Sequence, residues 1–185
     1  MIYVIDHEDS FTFNLVHLLE GFAPTYVSNY YDINWHQLEK SKIIIFSPGP
    51  GNPSHYPETQ KVYKKYKGDK KIIGICLGFQ QILYAENADI VPQKKIYHGY
   101  QSKIKTLKES ALFKPNKVFL AGRYHSLKLK EPFNSSSLKI TMRCVESNVA
   151  MAIEDTINNV YGFQFHPDSF LTVDGKFLIQ KVLQL

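Results

Sequence analysis

The sequence predicts an α/β domain with a mostly parallel central sheet and antiparallel strands added beside it. Three observations carry this. In the first half, short β-branched apolar runs alternate with segments of helical period, the pattern of successive βα units. In the second half the apolar runs stay short but are separated only by turn residues, which suits antiparallel strands. The length of 185 residues, with 44% apolar and 14% aromatic side chains, suits one compact domain spanning residues 1–185.

Taken in order, Ile2 to Asp6 reads as a buried strand, and Ser10 is expected to cap a helix whose apolar positions Phe13, Val16, Leu18 and Leu19 lead to Gly21. Tyr26 to Ser28 predicts a second strand and Ile33 to Glu39 a short helix. Lys42 to Phe46 (KIIIF) is too short and too β-branched for a helix. It is an interior strand, and Ser47-Pro48-Gly49-Pro50-Gly51-Asn52-Pro53 is the loop at its C-terminal end.

A lysine-rich helix follows. The segment Lys61 to Lys71 holds six lysines and one aspartate, so it accounts for the whole net charge of +5. Val62, Tyr63 and Tyr66 sit at helical spacing, leaving Lys61, Lys64, Lys65 and Lys67 for the other side. With no arginine-rich or RNA-binding aromatic motif beside it, this is a solvated helix face, and no nucleic-acid partner is expected.

Lys71 to Ile75 (KIIGI) is another buried strand, and Gly78 to Glu86 continues as a helix. Lys103 to Leu107, Val118 to Leu120, Lys139 to Val145, Ala150 to Glu154 and Val160 to Phe165 are the expected antiparallel strands, with Pro132 to Ser137 a loop. Gly175 to Leu185 predicts a last helix.

Several function classes are excluded early. The longest nearly unbroken apolar run, Ile72 to Phe79, has eight residues against the ~18 needed to span a bilayer, so no membrane partner is expected. The start, MIYVIDHEDSF, turns acidic after a short apolar run and lacks a basic segment, so a secretory signal is not expected and the location is read as cytoplasmic. Cys76 and Cys144 form no C-x-x-C pair and no H-E-x-x-H occurs, so no metal site is expected. His7-Glu8-Asp9 reads as a polar strand end.

Gly74-Ile75-Cys76-Leu77-Gly78 is the most informative local pattern. It has the form of a nucleophile elbow, with a buried strand before it and a helix after. Flanking glycines are expected to allow the sharp turn, while the helix N-terminus favours a thiolate and offers N–H groups to an oxyanion. Cys144 reads instead as core, because Ile140, Met142 and Cys144 alternate onto one strand face.

A cysteine nucleophile needs a base. His166 follows the apolar strand YGFQF directly and is held by Pro167, and Asp168 stands two residues on to orient the imidazole. The loop Ser47 to Pro53 contains G-x-G after a strand, but Pro48, Pro50 and Pro53 remove N–H groups that a pyrophosphate would use. A rigid loop whose glycine N–H groups approach one carbonyl oxygen fits better.

These pieces in this order resemble the class I (triad) glutamine amidotransferases, in the branch of the small subunits of anthranilate synthase and 4-amino-4-deoxychorismate (para-aminobenzoate) synthase. The resemblance is carried by DHEDSFTFNLV (6–16), SPGPGNP (47–53), GICLGFQ (74–80), HGYQS (98–102), RYHSL (123–127) and GFQFHPDSFLT (162–172), which together span nearly the whole chain. It implies a three-layer flavodoxin-like fold, hydrolysis of L-glutamine without a cofactor, and ammonia transfer to a chorismate-binding synthase subunit.

Carried over position by position, the resemblance makes Cys76 the nucleophile, His166 the base and Asp168 the orienting acid. The N–H groups of Gly49, in the loop that includes Pro50 and Gly51, and of Leu77 would form the oxyanion hole. Gln80 and the Ser126-Leu127 segment would hold the glutamine backbone. DSFTFN and HGYQS would lie towards the synthase. Three positions depart from the family: Asp168 stands where glutamate is usual, Phe79 where histidine is frequent, and Tyr100 where lysine is common. Since aspartate is one methylene shorter, the backbone after Pro167 is expected to move closer to His166. The alternatives are a γ-glutamyl hydrolase of the same fold and a non-catalytic partner subunit.

Overall fold

In the computed structural model, which describes residues 1–184, β1 (Ile2–Asp6), β2 (Thr25–Asn29), β3 (Ile43–Phe46) and β4 (Lys71–Ile75) alternate with α1 (Thr12–Glu20), α2 (Trp35–Lys40), α3 (Pro57–Tyr66) and α4 (Leu77–Ala85). Then follow β5 (Ile90–Pro92), β6 (Tyr100–Thr106), β7 (Val118–Arg123), β8 (Leu127–Leu129), β9 (Lys139–Cys144), β10 (Ala150–Asp155), β11 (Val160–Phe163) and α5 (Gly175–Leu183). The end expected for that last helix, Leu185, lies outside the described residues. A nine-stranded sheet has the order β2-β1-β3-β4-β11-β10-β9-β6-β7, and β5 pairs with β8 separately.

The sheet is parallel from β2 to β11 and antiparallel beyond it. This corrects one expectation. Val160 to Phe165 is not among the added antiparallel strands: β11 ends at Phe163 and runs parallel to β4, with Gly162 opposite Gly74. β10 and β11 do form an antiparallel hairpin, and on its other edge β11 fills the place beside β4 at the centre of the parallel core.

Residues alternate between two cores, as buried central strands require. Val4, Ile45, Ile73 and Ile75 face one side with Leu15, Val16 and Leu19 of α1 and Leu178, Ile179 and Val182 of α5. Tyr3, Ile5, Ile44, Phe46 and Ile72 face the other with Leu38 of α2, Val62, Tyr63 and Tyr66 of α3, and Ile82 and Leu83 of α4. The result is a helix–sheet–helix sandwich.

Two local expectations change. Ser10 does not cap α1; Phe11 takes the N-cap position without a side-chain cap. Because the helix begins at Thr12, its inward stripe is Thr12, Leu15, Val16 and Leu19, the i, i+3, i+4, i+7 positions, and Phe13 is left exposed. In β9 the strict alternation breaks where register shifts against β10 at Ala150/Ala152 and Ala152/Ile153. Met142 and Cys144 therefore face the α1/α5 core while Ile140 packs on the opposite one.

The lysine-rich segment closes on the protein itself. Val62, Tyr63 and Tyr66 are buried, Lys61 pairs with Glu58, Lys65 with Glu39 and Lys67 with Glu86. The Lys71 ammonium donates to the Val182 carbonyl at the end of α5.

Glycines 74 and 78 set how closely α4 packs on the sheet. A Cβ on Gly78 would lie 2.1 Å from the Phe46 carbonyl oxygen, and one on Gly74 2.3 Å from the Gly78 carbonyl oxygen. Neither obstacle is a movable side chain. Gly78→Ala is therefore expected to destabilise by about 3 kcal/mol or more, whereas Gly21→Ala, whose Cβ would meet only the Leu18 carbonyl at 3.4 Å, should stay within about 1 kcal/mol. Paired urea unfolding curves check this, and equal midpoints would show that α4 can lift off the sheet freely.

Candidate active site

Because β3, β4 and β11 are adjacent and parallel, their C-terminal ends deliver the 47–53 loop, Cys76 and the 164–168 segment to one sheet edge. Ligand sites in open α/β sheets form at such edges.

Cys76 joins β4 to α4 and has φ 53° and ψ −100°. The positive φ falls on the cysteine itself, not on the glycines flanking it, so Gly74 and Gly78 serve close packing. Such a conformation costs on the order of 1–3 kcal/mol. It is held by the Cys76 N–H donating to the Phe163 carbonyl at 2.8 Å and by the Gln80 N–H returning to the Cys76 carbonyl at 3.2 Å. The sulfur thus stands at the N-terminus of α4, where the helix dipole favours negative charge.

Gly49 abuts Leu77: a Cβ at 49 would lie 2.5 Å from Leu77 Cδ2 and 2.5 Å from His7 Cβ. His7 is the anchor of this loop. Its backbone N–H donates to Ser47 Oγ at 2.9 Å, and its ring nitrogens meet Ser47 Oγ at 3.2 Å and Thr59 Oγ1 at 2.9 Å. Pro50 and Gly51 form the exposed tip, with the Pro50 carbonyl accepting from the Tyr56 hydroxyl at 2.7 Å.

His166 follows β11 and bridges to Gly122 of β7, donating its N–H to the Gly122 carbonyl at 3.0 Å. The ring is buried. Burial pushes its pKa down, but the nearby Cys76 sulfur and Asp168 carboxylate outweigh burial and carry it up to about 10. A protonated imidazole beside the sulfur is the state this favours.

Asp168 lies 3.5 Å from His166 Nδ1, with both side chains shielded from solvent. That is an ion-pair contact, too long for a good hydrogen bond, and both ring nitrogens and both carboxylate oxygens lack hydrogen-bond partners. The turn is pinned: a Cβ on Gly175 would lie 1.8 Å from the Pro167 carbonyl oxygen, and Thr172 Oγ1 donates to the His166 carbonyl at 2.6 Å.

Gln80 is buried and donates to Gln164 Oε1 at 3.0 Å, while Gln164 Nε2 lies 3.9 Å from Cys76 Sγ. Ser126 is exposed and Leu127 half-buried, beyond the strand end that carries Gly122. Sequence reasoning gave no role to Gln164, Phe11, Tyr124, Arg123 or His125. Phe11 and Tyr124 each place a ring 5.0 Å from His166 and lie 4.6 Å from each other, tilted by 49°, roofing the imidazole. All five lie in the segments that carried the family resemblance, but spacing alone does not show which side chains turn inward.

Geometrically, then, a strained cysteine at a helix N-terminus, a buried histidine beside it and an aspartate behind the histidine can support nucleophilic attack on a carbonyl carbon. The family model described as glutamine amidotransferase class-I matches residues 3–185. The chain belongs to this family. Among curated relatives of the amidotransferase, the anthranilate synthase component 2 of Pyropia yezoensis is 40% identical, over 100% of this chain and 99% of that protein. The one of Lactococcus lactis is 36% identical, over 97% and 92%. The fold is shared with a crystal structure of a putative GMP synthase subunit from Thermoplasma acidophilum, with a TM-score of 0.84 at 19% identity, covering 98% of this chain and 91% of that one.

The 3.5 Å contact makes Asp168 the informative position for mutation. Asp168→Asn removes the charge behind the imidazolium and should lower kcat about 10- to 100-fold, less than for a tightly hydrogen-bonded acid. Asp168→Glu adds about 1.5 Å of reach and should raise kcat a few-fold. Steady-state glutaminase kinetics decide this; a lower kcat for Asp168→Glu would mean that the distance of 3.5 Å is the working one.

Two other histidines predict acid lability. Burial pushes His7 to about 3, and burial together with the Arg123 cation pushes His125 to about 3. Both are neutral in the fold, so below about pH 6.5 the unfolded chain takes up protons that the native chain refuses. The stability they support is present above about pH 6.5 and lost as pH falls towards about 3, by up to about 1.4 kcal/mol per pH unit for each. Urea unfolding at about pH 7 and about pH 5 should show this fall, and His7→Asn should reduce its slope. An unchanged midpoint between those pH values would contradict the assignment.

Proposed function

We propose that this chain, over residues 1–185, is the glutamine-hydrolysing subunit of anthranilate synthase. The observation that carries the reading is the convergence of Cys76, His166 and Asp168 at one sheet edge, with Gly49 packed against Leu77 beside them. Relatives named anthranilate synthase component 2 that align along nearly their whole length support the choice of partner.

In this mechanism His166 holds the proton of the Cys76 thiol, and the thiolate attacks the carboxamide carbon of L-glutamine. The N–H groups of Gly49 and Leu77 receive the developing oxyanion. His166 then gives its proton to the departing nitrogen, which leaves as ammonia, and a γ-glutamyl thioester remains on Cys76. A water molecule gives a proton to His166 as it attacks the thioester, and glutamate is released with the thiol restored. Along a path closed to bulk water, ammonia passes to a chorismate-binding synthase subunit; in the bulk it would be protonated and lost.

The roof of Phe11 and Tyr124 bears on regulation. With Cys76 and His166 both buried, glutamine reaches the sulfur only after local rearrangement, which a docked synthase subunit would favour by binding the open arrangement better.

Cys76→Ser is expected to abolish glutamine-dependent synthesis by the assembled enzyme and leave ammonia-dependent synthesis intact. A glutamine-like electrophile should label Cys76; labelling at Cys144 instead would overturn the reading. Glutaminase turnover should rise at least about tenfold on saturation with the partner, and equal turnover would refute gating. Purifying the chain with its native partner and assaying the product distinguishes anthranilate from aminodeoxychorismate synthesis.

A further inference from the structure

Arg123, the last residue of β7, is wholly buried, yet among the described residues no carboxylate lies within ion-pair distance of it. Its guanidinium carbon sits 3.5 Å from the centre of the Tyr97 ring. Its Nε donates to His125 Nε2 at 3.0 Å, and longer contacts of 3.4 Å reach Ser102 Oγ, Cys144 Sγ and Gln93 Oε1. A buried cation with no carboxylate in direct contact is costly; the Glu146 carboxylate, which accepts from the Cys144 thiol at 3.1 Å, acts on it only at longer range.

The influence of the Arg123 cation is visible in His125. Arginine can only donate, so His125 Nε2 must be the unprotonated nitrogen and the ring proton must sit on Nδ1. That nitrogen lies 2.8 Å from the Leu127 carbonyl and donates to it. The nearby cation also opposes protonation of the ring, which keeps one tautomer in place. Gln93 completes the strap: its side-chain amide donates to the His125 carbonyl at 2.5 Å and its backbone N–H to the Ser126 carbonyl at 2.9 Å. Three successive carbonyls, at 125, 126 and 127, are thereby held from one side.

We propose that Arg123 and His125 are positioning residues: the fixed cation locks the His125 tautomer, and His125 clamps the Ser126-Leu127 segment in the place where it meets the backbone of glutamine. This rests on the glutaminase reading above. Neither residue takes part in bond making, so their loss weakens capture of the amino-acid portion of the substrate and leaves the reactivity of Cys76 largely intact.

The test uses the assembled enzyme and two cysteine reagents, a glutamine-like electrophile that carries the amino-acid backbone and iodoacetamide that does not. His125→Phe keeps a ring but loses the donor, and is expected to raise KM for glutamine and the half-saturating concentration of the glutamine-like reagent about 10- to 100-fold. The maximal rates and the rate of iodoacetamide labelling should change less than about threefold. His125→Asn, which retains a donor near Nδ1, should recover most of the loss. Arg123→Met should follow His125→Phe and supplies a second measurement if phenylalanine disturbs the fold. Unchanged saturation in both variants, a fall in maximal rate at constant KM, or no recovery by asparagine would overturn the positioning role. If the glutamine-like reagent fails to label Cys76 in the parent enzyme, the glutaminase reading itself fails, which is a separate outcome.

Discussion

Cys76 has a backbone geometry that a residue with a side chain adopts only under constraint, and the packing of α4 against β3 and β4 is what constrains it. With φ 53°, the cysteine would relax if α4 could shift. It cannot, because the helix lies backbone to backbone on Phe46 and on its own strand through Gly74 and Gly78. The strain is offset by two backbone hydrogen bonds and by the core on which Ile82 and Leu83 rest. The sulfur is fixed at the sheet edge by the same contacts that hold the central strands together, so stability and site geometry are a single property here.

Charge is handled differently at the two ends of the site. Around His166, burial alone would expel the proton, and the neighbouring Cys76 sulfur and Asp168 carboxylate keep it. Around His7 and His125 burial wins, and both rings serve as neutral hydrogen-bonding struts. The deciding factor is the nature of the nearest groups: a carboxylate and the Cys76 sulfur at His166, hydroxyls at His7, and a cation at His125. One residue type thus supplies a proton carrier and two rigid anchors within the same buried edge.

How much of this was legible in the sequence depends on range. Strands such as KIIIF and KIIGI declare themselves because both of their faces are buried, and the elbow at Cys76 because strand, nucleophile and helix are contiguous. The parallel placement of β11 was not legible, since what decides it is the vacancy beside β4, far earlier in the chain, where Gly162 pairs with Gly74. The exposure of Phe13 escaped because one shifted helix start rotates the whole apolar stripe. Arg123 reads as an ordinary charged residue at a strand end; nothing local reveals that it points inward, where among the described residues no carboxylate touches it directly.

The loose contact at Asp168 has its origin in the same packing. A shorter acid would reach its histidine only if the His166-Pro167-Asp168 turn moved inward, and Gly175 at the start of α5 blocks that movement from behind. The helix cannot retreat either, because Leu178, Ile179 and Val182 are buried in the core shared with α1. In this packing the aspartate meets the imidazole at 3.5 Å. The burden of holding the imidazole falls on its other neighbours: the Gly122 bridge fixes its backbone, and Phe11 and Tyr124 fix its plane. Of these, Phe11 belongs to the entrance of α1, beside the exposed Phe13. The orientation of the base is thus tied to a surface element, and a protein bound at that surface would act on the chemistry through Phe11.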